Sequence, residues 1–275
     1  MVPDFKSEKI SEHITRIFAF NTELVYLVEG SERAVLIDTG SGFGSLRECV
    51  ESLTQKPLTV LLTHGHTDHA LGCGEFRDCD VYINPLEESV YGLHSGLEFR
   101  KNSGRMWSDF DKLSDEEIIP PMPFSEMKAL NDAMSFNLGD VRIEAYSLPG
   151  HTPGSMSMLI PEEGVLLLGD ACNYLVFLFD AFSTDVATYR ESLISLEDKL
   201  EGKYSRVILS HGNGEGEPDM LRCVIRVCDD LLAGISDEMP FEFLGQKPLL
   251  AKRTGPDDNR ADGGKGNIVY RKEKL

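Results

Sequence analysis

Three histidines and an aspartate crowd into the six residues His64-Gly65-His66-Thr67-Asp68-His69, directly after the apolar run 58–62. A short continuous apolar run marks a strand buried on both faces. The cluster therefore sits at a strand's C-terminal end, where α/β sheets place their binding crevices. Four side chains able to hold a cation, on a turn loosened by Gly65, can face one point together. A single histidine is usually a core or surface residue, but four potential ligands at this spacing select a fold in which a sheet edge is built around them.

The rest of the chain reads as more of the same architecture. Strand-like apolar runs at 14–20, 24–29 and 34–37 are separated by polar turns. Residues 45–53 read as a helix, with Leu46, Cys49, Val50 and Leu53 on one face. Further strands are expected at 81–83, 141–147, 156–160, 165–168 and 206–209, with a closing strand at 267–271. Thr188 and Glu191 have capping-box spacing for a helix over 188–200. In 218–232 a proline suits the first turn, an apolar face follows, and Gly234 can end the helix. Residues 254–266 are polar and glycine-rich and read as a mobile loop. The expectation is one domain over residues 1–275, with two β-rich halves. Residues 86–130, where helical fragments alternate with Pro120, Pro121 and Pro123, read as an insertion on it.

Three more candidate ligands stand just beyond strands: His151 after Leu148-Pro149-Gly150, Asp170 after the run 165–169, and His211 after 207–210. Each alone is weak, and Asp170 alone would more often be a helix cap or turn residue. Together with the hexapeptide they place five of the seven histidines at strand ends. The set resembles the metallo-β-lactamase superfamily, whose motifs are a His-x-His-x-Asp-His run followed by separate His, Asp and His. The flanking Ile37-Asp38-Thr39-Gly40 and Pro149-Gly150-His151-Thr152-Pro153-Gly154 are also similar to that family's. The resemblance spans about residues 14–212.

The resemblance implies an α/β fold of the αββα sandwich type: two facing mixed β-sheets, helices on the outer faces, and a metal site at one edge. It implies that His64, His66 and His151 hold one divalent ion, that Asp68, His69 and His211 hold a second, and that Asp170 bridges them. Zinc heads the donors' preferences, and manganese and iron accept the same ligands. Two such cations bring a shared water towards ionisation at neutral pH, which supplies hydroxide for attack on a carbonyl or phosphoryl centre. Asp68 is the catalytic candidate, orienting that nucleophile and accepting its proton. Asp38 reads either as support for a ligand imidazole or as a plain strand-end turn.

Composition narrows the chemistry. The 275 residues carry 27 Lys+Arg against 46 Asp+Glu, a net charge of −19. Nucleic acid is therefore not expected as a partner, since phosphate binding needs a concentrated basic surface. No run of 18 apolar residues suggests a membrane span, and Met1 to His13 show no secretory pattern. Six cysteines without CxxC spacing read as reduced thiols of a cytoplasmic protein, with a Cys73–Cys79 bridge as the alternative and Cys172 as packing. The expected partner is a small-molecule substrate, with a homodimer left open. Gly40-Ser41-Gly42-Phe43-Gly44 reads as a tight strand-to-helix turn rather than a dinucleotide loop.

Among activities of the resembled family, the favoured one is hydrolysis of a small ester, thioester or lactone. The alternatives are a phosphodiesterase, a mononuclear iron persulfide dioxygenase and a non-catalytic metal-binding protein. Lys252 and Arg253 lie where a glutathione thioesterase carries a basic pair, but Gly212-Asn213-Gly214-Glu215-Gly216 does not match that group. His66 stands where oxygen-reducing relatives carry glutamate. His94 reads as solvent-facing, with substrate contact as the alternative, and His13 as uninvolved. Tyr174, Phe177 and Phe179, with Met106 and Trp107 of the insertion, are candidates for a pocket lining or for packing.

Overall fold

The computed structural model describes residues 5–20, 23–104, 117–256 and 259–275. Met106 and Trp107 lie outside the described residues. Elements are numbered in chain order. A seven-stranded sheet contains β1 (Lys6–Lys9), β2 (Ile14–Phe18), β3 (Leu24–Glu29), β4 (Ala34–Ile37), β5 (Leu58–Leu61), β6 (Asp80–Ile83) and β7 (Lys128–Ala129), side by side in that order. Its first four strands pair antiparallel, and the pairs from β4 to β7 are parallel.

A six-stranded sheet contains β8 (Met134–Asn137), β9 (Arg142–Ser147), β10 (Met156–Ile160), β11 (Val165–Leu167), β13 (Arg206–Ile208) and β14 (Glu215–Gly216), ordered β14-β13-β11-β10-β9-β8. Only β11 and β13 run parallel in it. A smaller sheet, not anticipated from the sequence, joins β12 (Val176–Leu178), β17 (Ile268–Tyr270), β16 (Leu249–Leu250) and β15 (Met239–Pro240).

The alternation of side chains shows why the apolar runs are continuous. In β3, Leu24, Tyr26 and Val28 face the second sheet, while Val25 and Leu27 face outward helices. In β10, Met156, Met158 and Ile160 face the first sheet and Leu159 faces outward. Both faces are buried, so both parities must be apolar. The outer face of the first sheet is covered by α1 (Leu46–Leu53), α2 (Thr67–Ala70) and α3 (Glu88–His94), through Leu46, Val50, Ala70 and Tyr91. That of the second is covered by α5 (Val186–Leu200) and α6 (Met220–Leu232), through Leu193, Leu196, Val224 and Cys228. Each such aliphatic side chain contributes roughly 1.5–3 kcal/mol by leaving water. The result is the four-layered αββα sandwich. Among the described residues no helix is long and apolar enough to cross a membrane, and all six cysteines are free thiols, so Cys73 and Cys79 are not bridged.

Helix α4 (Leu97–Gly104) is pinned by Arg100, only 1% exposed. Its guanidinium donates to the carbonyls of Ile119 (2.6 Å), Ser41 (3.0 Å) and Gly42 (3.2 Å). Burial pulls its pKa down to about 10. Gly40, Gly42 and Gly44 all have positive φ, so the 40–44 segment is indeed a tight turn into α1, whose N-cap is Ser45.

The start of α5 corrects one expectation. The helix begins at Val186, and the Asp185 carboxylate, rather than Thr188, caps it by accepting the Thr188 N–H at 2.6 Å. Asp185→Ala should therefore cost about 1 kcal/mol in urea unfolding. Thr188→Ala, inside the helix, should stay within about 0.5 kcal/mol. The reverse order would overturn the cap assignment.

Strand polarity positions the site. β4 and β5 run parallel in one sheet, and β11 and β13 run parallel in the other. Asp38, the hexapeptide, Asp170 and His211 thus each leave a sheet at a strand's C-terminal end.

Candidate metal centre

Asp38 turns back on itself with φ 64°, a left-handed conformation that aspartate tolerates better than most side chains. Its carboxylate accepts the Thr63 N–H at 2.7 Å and the Thr63 hydroxyl at 2.8 Å, and lies 2.9 Å from His69 Nδ1. Both expectations for Asp38 are thus met: it closes the strand-end turn and orients an imidazole.

These bonds fix tautomers. A carboxylate only accepts, so His69 Nδ1 carries a proton and Nε2 is the ring nitrogen left to ligate once its own proton is shed. His151 Nδ1 lies 2.9 Å from the Phe177 carbonyl, which gives the same result. His64 Nδ1 lies 3.0 Å from the Thr63 hydroxyl, whose own proton goes to Asp38, so His64 Nδ1 donates as well. The opposite ring nitrogens converge. One group of donor atoms, from His64, His66 and His151, lies within 4.8 Å of one another, and so does a second, from Asp68, His69, Asp170 and His211.

Asp170 sits between the groups. Its Oδ2 is 3.3 Å from His211 Nε2, 3.4 Å from His69 Nε2 and 4.0 Å from His151 Nε2. Asp68 Oδ2 is 3.5 Å from His211 Nε2 and 3.7 Å from His69 Nε2. All seven residues named from the sequence are therefore gathered at one place. His64 Nε2 is buried without a hydrogen-bond partner, although such an orphan costs about 1–3 kcal/mol, and His66 turns Nδ1 to His151 Nε2 at 3.0 Å. Buried bare imidazole nitrogens beside carboxylates are the donor set of a divalent cation, and the residues present fit that group.

The two groups differ electrostatically. Burial first, then the neighbouring imidazoles, hold His64 and His66 well below the usual histidine range. Burial pushes His69 and His211 the same way, but the carboxylates win. Asp68, Asp170 and Asp38 raise His69 well above its ordinary value, and Asp170 with Asp68 lifts His211 to about 9. Burial alone would raise Asp170, yet His211 and His69 hold it well below the ordinary carboxylate range.

The expectation for His94 is overturned. It ends α3 half-buried, stacked on His66 with ring centroids 4.4 Å apart and an interplanar angle of 23°. The Thr67 N–H donates to its Nδ1 at 3.2 Å, and Phe99 packs at 4.2 Å. Burial pulls its pKa down to about 4. Its place depends on where α3 docks, which no local pattern reveals. Gly65 permits that docking, since a Cβ there would stand 2.9 Å from the Tyr91 amide.

Asp180, not singled out from the sequence, places Oδ2 3.9 Å from His66 Nε2. Phe177 meets the site through its carbonyl. Its ring joins a cluster with Phe179 and Phe243, at 5.2 and 4.9 Å. Tyr174 is 41% exposed. Lys252 is occupied by an ion pair with Asp230 at 2.6 Å. His13 is remote: its Nδ1 faces the Glu29 carbonyl, at the other end of β3 from the site.

Comparisons with known proteins agree with this geometry. The family model described as the metallo-beta-lactamase superfamily matches residues 20–211. Acyl-coenzyme A thioesterase MBLAC2 of Homo sapiens is 28% identical over 229 residues, covering 74% of this chain and 77% of that protein. An uncharacterized protein of Mycobacterium tuberculosis is 26% identical over 201 residues, covering 66% of this chain and 80% of its own. Among solved structures, a metallo-beta-lactamase from Pontibacter korlensis superposes with a TM-score of 0.60 at 18% identity, over 82% of this chain and 100% of that one. Likeness at that identity speaks for the fold alone.

Proposed function

The chain belongs to the metallo-beta-lactamase superfamily, and from that premise we propose that it is a metal-dependent hydrolase of thioesters, with small esters and lactones in the same class. The observation that carries the reading is the convergence of seven donor side chains at one sandwich edge, with Asp170 between its two groups. The similarity to a human protein named as an acyl-coenzyme A thioesterase favours the thioester within that class.

In this reading His64, His66 and His151 hold one divalent cation, Asp68, His69 and His211 hold a second, and Asp170 is shared. When bound, such a pair supplies Lewis acidity and brings water towards ionisation at neutral pH, with zinc best suited to the donors and manganese or iron compatible. The protein's own part is positioning. Asp38 and the Phe177 carbonyl hold His69 and His151 in the required tautomers. Asp68, with its side chain 38% exposed, is the carboxylate placed to orient the attacking water and accept its proton. A thiol leaving group, with a pKa near about 8.5, departs as thiolate with little need of an acid. His94 accepts the Thr67 N–H at Nδ1, which leaves its proton on Nε2.

The electrostatic contrast predicts a pH signature. His69 and His211 must shed protons before they can ligate, so the second cation should bind more tightly as pH rises towards about 9. His64 and His66 are held neutral, so the first should depend on pH less steeply than the second. Zinc titration calorimetry in buffers of different ionisation enthalpy reads both. Equal pH dependence of the two steps would refute the split.

The functional test is a panel of acyl-coenzyme A thioester, carboxylic ester, lactone, β-lactam and bis-p-nitrophenyl phosphate on metal-analysed protein. Fastest turnover of the thioester is expected. A phosphodiester turned over fastest would overturn the reading, as would one firmly bound iron with oxygen consumption.

A further inference from the structure

Glu87, between β6 and α3, is fully buried and belongs to none of the seven donors. Its two carboxylate oxygens are divided between two loops. Oε2 accepts the Gly65 N–H at 2.7 Å, and Oε1 accepts the Gly154 N–H at 2.6 Å. Gly65 lies between His64 and His66, and Gly154 closes the turn that begins at His151. Both glycines are needed for so close an approach: a Cβ on Gly65 would stand 3.2 Å from Oε2, and one on Gly154 would stand 2.8 Å from Oε1.

We propose that Glu87 is a positioning residue for the three-imidazole group, a clamp that sets His64 and His66 against His151 across the gap between the two sheets. The argument is geometric. His64 and His66 arrive on the loop after β5 of the first sheet, and His151 on the β9–β10 loop of the second. Glu87 is hydrogen-bonded to the backbone of both loops. A carboxylate buried among apolar layers is retained against its desolvation cost, and here its acceptors are matched by donors from the very loops whose spacing fixes the group. His69 and His211 are held by other contacts, through Asp38 and through the Tyr26 hydroxyl on the Leu209 carbonyl. The clamp therefore acts on one group and not on the other.

The inference rests on the reading of His64, His66 and His151 as cation ligands, and one experiment separates the two. Zinc binding to the full chain is followed by competition with a chromophoric chelator, and the step due to the three imidazoles is identified as the one lost in His151→Ala. Glu87→Ala should weaken that step about ten- to a hundredfold, the usual effect of losing a partner that orients a ligand, with the other step unmoved. Glu87→Gln, which keeps one oxygen to accept one amide, should fall between wild type and alanine. If the alanine variant does not fold by circular dichroism, the glutamine variant alone decides. Wild-type affinity in the folded variants, or equal weakening of both steps, overturns the clamp and leaves the metal reading standing. A wild-type protein that binds no zinc overturns that reading and the clamp with it.

Discussion

Asp170→Asn is expected to lower bound zinc per chain by about half or more and thioester turnover by at least ~100-fold. The substitution keeps the shape of the side chain, removes its charge and exchanges one acceptor oxygen for an NH2 donor. That charge is what joins the groups, since one oxygen lies within 3.3–4.0 Å of nitrogens from His211, His69 and His151. Asparagine also withdraws the largest support for a cationic His211, so the pKa held at about 9 should drop. Metal analysis and steady-state kinetics on one preparation read both effects. Normal zinc content with normal turnover would refute the shared role.

Asp68→Ala is expected to lower kcat by ~10²–10⁴-fold, the range for loss of a positioned proton acceptor. Zinc held by His64, His66 and His151 should be unaffected, because Asp68 belongs to the other group. His13→Ala is the control. His13 faces the Glu29 carbonyl at the end of β3, while Leu24, which begins that strand, bonds Ser210 beside His211. Its replacement should leave turnover unchanged, and equal losses in the two variants would remove Asp68 from the mechanism.

The clustering of the seven side chains is legible in the sequence because each is tied to a local pattern: an apolar strand, then a turn, then a histidine or aspartate. Parallel pairing of β4 with β5 and of β11 with β13 converts that pattern into proximity. His94 and Glu87 are not legible for the opposite reason. Their neighbours in sequence are ordinary helical residues, and their roles come from how α3 lies over Gly65. Strand β8, half-buried and exposed by turns, and the two-residue strands β15 and β16 are too short or too polar to announce themselves. The cap of α5 was misplaced because Thr188-x-x-Glu191 imitates a start signal one turn inside a helix that Asp185 begins.

The candidate donors come from both halves of the sandwich: four from the loop after β5 and the short helix α2 that follows it, and three from loops of the opposing sheet. In the proposed reading an ion gripped by both halves would act as a rivet through the molecule, and removing it would loosen the seam along that edge. Thermal resistance should then follow free zinc as well as sequence, gaining about 2.7 kcal/mol at a hundredfold excess over the dissociation constant. Metal scarcity would in that case lower the amount of intact protein as well as its rate.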